Sequence, residues 1–230
     1  MVTKVQAKKE NKRSSLFHHA YDLFLNKGFN DTTISDIVKK SDVAKGTFYL
    51  YFKDKYDLRD QLVARVSAQI LLDAQNKLEQ TKDTEPAQTF EGYVLRLINL
   101  ILDHFESNQM QLRFISKNLS WGVLRHMLTH RPDTVPDDLD AVADLNDPVA
   151  DLNLFYRRYL DALTRANYHC DRPDLLLFTV IELVGSSAYS TIINEAPCTL
   201  QEYKPYLFRS VHQILEGYRM PEQKASNALS

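Results

Sequence analysis

Lys45, Thr47, Tyr49, Tyr51 and Lys55 gather two ammonium groups and three hydroxyls within a short stretch of this 230-residue chain. Such a set is suited to gripping a polyanion rather than to bond-breaking chemistry. Cations hold phosphate oxygens, while hydroxyls and aromatic edges reach sugars and bases. Phe48 and Phe52, four residues apart, share the opposite helical face and are expected to point inward. Gly46 is costly inside a helix but permits close approach of a groove wall.

The elements that must position this face are read from the residues before it. Thr33 can accept a bond from a free helix N–H while Asp36 answers three residues on, opening a helix that runs through Lys40. Ile34, Ile37 and Val38 share its inner face. Ser41, Asp42 and Val43 form a tight connection, since Ser and Asp compete with helical bonding and Asp tolerates a left-handed turn. A second helix starts near Ala44. Two readings fit this layout. One is a helix-turn-helix laid into a phosphate-lined groove; the other is an ordinary pair of amphipathic helices whose tyrosines are half-buried surface aromatics.

Resemblance separates the two. From Leu16 to Leu58 the chain resembles the DNA-binding domain of the TetR family of bacterial repressors. The matching residues are Ala20, Leu23, Phe24, Gly28, Phe29, Thr32 or Thr33, Ile34, Ile37, Val43, Lys45-Gly46-Thr47-Phe48-Tyr49, Tyr51-Phe52, Lys55 and Leu58. The resemblance implies an all-α protein with an N-terminal helix-turn-helix domain and a larger helical domain for effector binding and dimerisation. It also implies DNA contacts at Thr33, Lys45, Gly46, Thr47, Tyr49, Tyr51 and Lys55, with Lys45 nearest the bases and Thr33 and Lys55 nearer phosphates. Two departures stand out: Asp42 where the family usually has Gly, and Ala44 where it has a Ser cap.

Charge patterning agrees with a basic head. Through Asp60 there are 12 lysines and arginines against 8 aspartates and glutamates, a net of +4; the whole chain is −2, so the remainder is −6. The expected organisation is a flexible basic arm over 1–13, the DNA-binding domain over 14–56, the helical body over 57–220 and a flexible tail over 221–230. The first helix is expected to be capped by Ser14 or Ser15 and ended by Gly28. A long helix opening after Asp54 and running to about Gln80 follows the second.

The body has no alternating strand pattern and reads as helices. Tyr93, Phe105, Phe114, Trp121, Tyr156 and Tyr159 supply aromatic surface for an apolar effector cavity; the plainer reading of such stripes is core. Leu175 to Val184 is apolar on nearly all sides, beside a small-residue patch at Gly185 to Ala188. The family resemblance places a four-helix dimer interface here and on the last helix, which points to Leu177, Ile181, Val184, Gly185, Ala188, Tyr206, Val211 and Ile214.

Catalytic and metal sites are not expected. There is no phosphate-cradling glycine loop or nucleophile elbow, and Cys170 and Cys198 have no paired spacing. His126 and His130 lie four apart without a third ligand, and the acidic connector 131–148 lacks the Gly and closing Glu of a calcium loop. Neither a signal peptide nor a membrane span is expected, and no cofactor. The partners expected are a double-stranded DNA operator, a small-molecule effector and a second copy of the chain, in the cytoplasm. The alternative is a coactivator of the same fold that docks a protein through the Lys45 to Tyr51 surface.

Overall fold

The computed structural model describes residues 4–80, 89–116 and 148–221. Among these, all regular structure is helical: α1 (Lys4–Asn26), α2 (Ile34–Lys40), α3 (Lys45–Tyr49), α4 (Lys55–Gln80), α5 (Phe90–Ser107), α6 (Gln109–Ile115), α7 (Pro148–Arg165), α8 (Pro173–Ala188), a π-helical turn (Tyr189–Ile193) and α9 (Leu200–Tyr218). The all-α expectation is met. The chain divides into two compact units, Met1–Arg65 and Val66–Ser230, so the division falls within α4 and not at the expected 56/57 boundary.

In the first unit, Leu16, Phe17, Ala20 and Phe24 of α1 are buried with Ile37 and Val38 of α2, Phe48 of α3, Phe52, and Leu58, Leu62 and Val63 of α4. Each large apolar side chain removed from water contributes on the order of 1.5–3 kcal/mol. α1 begins at Lys4 and not at a Ser14 or Ser15 cap. The residues 4–13 contain no Gly or Pro and several strong helix formers, so helix nucleated by the amphipathic stretch extends backward through them. At its other end Lys27 N–H donates to the Leu23 carbonyl at 2.8 Å. Gly28 then turns left-handed at φ +91°, and the buried Thr32 hydroxyl donates to the Gly28 carbonyl at 2.7 Å, closing the exit.

The second unit is built around α5, which packs against α6, α7, α8 and α9; α8 and its π-helical extension also pack on α9. Thr89 caps α5 by accepting from Gly92 N–H at 3.0 Å, and seven apolar side chains of α5 are buried along one stripe. Thr199 and Glu202 form a reciprocal capping box that opens α9. α7 ends at Arg165, short of the expected His169, because Asn167 turns left-handed at φ 49°. Pro148 opens α7 in place of closing the acidic connector.

The segment Pro173–Ile193 has the length and mean hydropathy of a membrane span, at 1.6 over its most apolar window. Burial within the unit accounts for much of that apolarity. Leu176, Leu177, Val180, Val184 and Gly185 of α8 are buried inside the single chain, as are Ala188 and Val211. Five of the positions expected at a subunit interface, Leu177, Val184, Gly185, Ala188 and Val211, are buried within the chain itself. The sequence pattern could not separate them because an all-round apolar helix looks the same whichever partner covers it. Ile181 and Ile214 are half-buried and Tyr206 is exposed. Trp121, His126, His130 and residues 131–147 of the connector lie outside the described residues.

Replacing Gly28 with Ala forces a Cβ into the left-handed region, although space around it is open. The expected loss is about 1–2 kcal/mol, read by urea denaturation followed by circular dichroism; unchanged stability would show that this exit does not depend on glycine.

Candidate nucleic-acid interface

The two short helices are held by local bonds that the sequence foreshadows. Asp36 N–H donates to Thr33 Oγ1 at 3.1 Å and Thr33 N–H donates to Asp36 Oδ2 at 2.9 Å, a complete capping box. Lys27 Nζ adds a 2.8 Å ion pair to the same carboxylate. The Lys27 ammonium and then the Thr33 amide and hydroxyl hold the Asp36 carboxyl down at about 2. The turn is closed by Ser41 N–H to the Ile37 carbonyl at 2.9 Å and Val43 N–H to the Val38 carbonyl at 3.1 Å. Asp42 occupies the left-handed region at φ 53°, where an L side chain costs energy that glycine would not.

α3 is only five residues long, and its N-cap Ala44 makes no side-chain capping bond. Packing holds it. Phe48 and Phe52 are 0% and 1% exposed; Phe52 meets Phe17 edge-on at 5.0 Å and Phe48 at 5.4 Å. With that face anchored, Lys45, Gly46 and Tyr49 are exposed and Thr47 and Tyr51 half-buried. A Cβ built on Gly46 meets nothing within 4 Å, so the fold itself does not require glycine there. Thr33 is exposed, with its hydroxyl engaged in the cap.

Lys55 is placed differently from the rest of the expected set. Its ammonium donates to the carbonyls of Phe29 and Thr32, each at 2.8 Å, and of Asn30 at 3.4 Å, and lies 4.4 Å from the centroid of the Phe29 ring. Its donors are taken up by the segment between α1 and α2, so the lysine secures that segment. Asp54 caps α4 as expected, accepting from Asp57 N–H at 2.8 Å, while the Asp57 carboxylate accepts from Lys53 N–H at 2.8 Å.

Among the described residues Lys39, Lys45 and Lys53 are exposed cations without an ion-pair partner, whereas Lys27 and Lys40 are paired to Asp36 and Asp22. Lys39 and Lys53 were not singled out in the sequence. The signal for them is the absence of a carboxylate in reach, which only the fold reveals. Leu50, 74% exposed, is a further outward residue of this face without a sequence signal.

Residues 16–62, within the first unit, match the family described as "Bacterial regulatory proteins, tetR family". The match is confined to this domain. The HTH-type transcriptional regulator YhgD of Bacillus subtilis is 25% identical over 114 residues, 50% of this chain and 56% of that protein. An HTH-type transcriptional regulator of Haemophilus influenzae is 33% identical over 60 residues, 26% of this chain and 32% of that protein. The chain thus spans between about a third and just over half of the curated relatives it matches. In fold, it is similar to FadR of Thermus thermophilus, a TetR-family transcriptional repressor solved with lauroyl-CoA. The TM-score is 0.55 at 20% identity, covering 91% of this chain and 96% of that one.

The second unit holds an apolar cavity of about 60 Å³. Of the aromatic residues expected to line such a site, it brings together Tyr93, Phe105 and Tyr159; Phe114 and Tyr156 do not line it. Phe90 and Phe155 do, as do aliphatic residues of α4, α5 and α8 and the four α8 residues Leu177, Ile181, Val184 and Gly185. Burial, above all, pushes the hydroxyls of Tyr93 and Tyr159 upward, so both are neutral.

Two departures at the turn are correctable. Asp42→Gly and Ala44→Ser should each raise the stability of the head, by roughly 1 kcal/mol, through relief of the left-handed strain and through the missing cap respectively. Chemical denaturation of the two variants checks this. For Asp36 the folded-state value lies below the ordinary 3.8, so its contribution is complete above that value and is lost as pH falls from 3.8 toward about 2. An acid titration of unfolding should flatten in that window for Asp36→Asn; an unchanged acid limb would contradict the capping role.

Proposed function

We propose that the chain is a homodimeric, ligand-responsive transcriptional repressor that binds a palindromic DNA operator and is released by a small-molecule effector. The observation that carries the DNA reading is the split of α3. Its aromatic face is wholly buried, while Lys45, Gly46 and Tyr49 at the other side are solvent-facing, with open space over Gly46. Inserted by its N-terminal turn, such a helix sets Lys45 toward base edges, with Thr47, Tyr49 and Tyr51 toward the groove walls and Thr33 toward a phosphate. Lys55 supports the head from within and leaves the phosphates to Lys39 and Lys53.

A reader of palindromic half-sites works as a two-fold pair. Exposed Tyr206 and half-buried Ile214 on α9, with half-buried Ile181 on α8, are the interface positions that retain surface to offer a partner. The body cavity is the effector site. The structural likeness to FadR, which was solved with lauroyl-CoA, supports a ligand that includes an aliphatic chain. An effector releases DNA only through a difference in its affinity for the bound and free forms; a coupling of about 1–3 kcal/mol lowers operator affinity roughly 5- to 150-fold.

Selection of bound duplexes from a random library tests the reading and defines the half-site. On the selected duplex, Lys45→Ala should weaken binding and relax sequence preference. Gly46→Ala should leave the fold as stable or more so, since alanine favours the helix by about 1 kcal/mol, yet weaken binding because its methyl meets the groove wall. Affinity should fall steeply with salt. Failure to enrich any duplex, or indifference to both substitutions, would move the reading to the protein-docking coactivator, for which exposed Leu50 beside Tyr49 is the supporting feature.

A further inference from the structure

Leu50 is 74% exposed, more than any other large apolar side chain among the described residues, and Tyr49 beside it is 52% exposed. A leucine scattered singly on a surface needs no special account. Leu50 differs in its place. It is the C-cap of α3, with φ −74° and ψ −20°, so the helical path runs on through it. Positions 46 and 50, four residues apart, are therefore neighbours on one helix face. They are displaced by two residues, about 200°, from the buried pair Phe48 and Phe52, which puts them in the middle of the outward side.

Gly46 leaves a gap on that side. A Cβ built there meets nothing within 4 Å. Helical side chains lean toward the N-terminus and cover the turn before their own. Leu50 therefore borders the space that Gly46 leaves open, with exposed Lys45 and Tyr49 next to them in the sequence. The notch is one residue wide and walled by hydrocarbon and bare backbone. It suits a methyl-sized group better than the large aromatic or arginine anchors of a protein interface.

The charge around the notch favours a polyanion, since Lys39, Lys45 and Lys53 of the same unit are exposed without an ion-pair partner. In duplex DNA the apolar group that base edges present in the major groove is the C5-methyl of thymine. Depth is no obstacle. From residue 45 to residue 50 a helix rises about 7.5 Å, less than the roughly 8.5 Å depth of the major groove, so a helix entering by its N-terminal turn carries Leu50 in with it.

We propose that Leu50, together with the open space at Gly46, reads the C5-methyl of a thymine in the operator half-site. Leu50 is then a specificity-determining residue: it selects thymine over cytosine, whose C5 carries no methyl, while Lys45 addresses polar base edges. This assignment rests on the DNA reading given above and adds the identity of one base to it.

The test uses the full chain and the duplex enriched by selection, with each thymine of one half-site replaced in turn by deoxyuridine. That replacement removes the methyl and keeps every hydrogen-bonding group. In anisotropy titrations of the wild type, one position should weaken binding about fourfold, the worth of one buried methyl-sized group. Leu50→Ala should weaken the thymine duplex by at least as much, lose nothing further with deoxyuridine at that position, and melt with the wild type because the side chain is exposed. No thymine at which the methyl matters, a methyl effect that persists undiminished in Leu50→Ala, or a lowered melting temperature would each overturn the assignment and leave the DNA reading in place. Failure of the wild type to bind any duplex would remove both.

Discussion

Burial of Phe48 and Phe52 is the constraint on which the proposed DNA-facing surface depends. A five-residue helix has no stability of its own in water, since nucleation fixes several residues for very few hydrogen bonds. α3 exists because its Phe48, with Phe52 just beyond it, enters the core that also holds Phe17, Ile37 and Leu58. That anchoring decides the direction of everything between them. With positions 48 and 52 inward, Lys45 and Tyr49 must be outward, and the chemistry of the face follows from packing rather than from any bond the outward residues make.

Electrostatics refine the face by subtraction. The head carries more cations than anions, yet several are occupied inside the domain: Lys27 on Asp36, Lys40 on Asp22, Arg59 on Asp60 and Lys55 on three carbonyls. Exposed pairs of this kind add little stability one by one. Their effect is on the field outside, to which the exposed Lys39, Lys45 and Lys53, without ion-pair partners, contribute. Net charge alone therefore misplaces the positive potential, and the local pairing pattern locates it.

Much of the head was legible because its determinants are local. The Thr33–Asp36 capping box, the Asp54 cap, the Gly28 exit and the inward pair Phe48 and Phe52 each follow from spacing of a few residues. Lys55 was not, because a flexible lysine is directed by whatever acceptors the tertiary fold brings near, here carbonyls some 25 residues away in the chain. The start of α1 was missed for a related reason: low apolar content argues for a free arm, while high helix propensity argues for extension of a helix nucleated further on. In the body, Tyr93, Phe105 and Tyr159 were found at the cavity. Phe114 and Tyr156 were not there, since aromatic character says nothing about which void a helix face meets. α8 shows the same limit, because apolarity on all sides does not tell a covering subunit from a neighbouring helix.

The residues that sequence reasoning passed over in the body are Ser67 and Gln75, and the reason is instructive. Each sits in the buried stripe of α4, among Leu62, Ile70, Leu71 and Ala74, where an apolar residue would satisfy the pattern better. A stripe judged by its apolar members treats such residues as noise. Both exceptions fall on one helix, Ser67 among the residues around the cavity and Gln75 hydrogen-bonded to two of them, Tyr93 and Phe155. Gln75 makes the point most clearly. Its amide N–H groups tie α4 to Tyr93 on α5 and to the Phe155 carbonyl on α7, so it does structural work with one end while the other end stays unmatched. Ser67 Oγ and Gln75 Oε1 are thus both held dry on one helix, each at the cost of an unmade hydrogen bond, which an apolar side chain at either position would avoid.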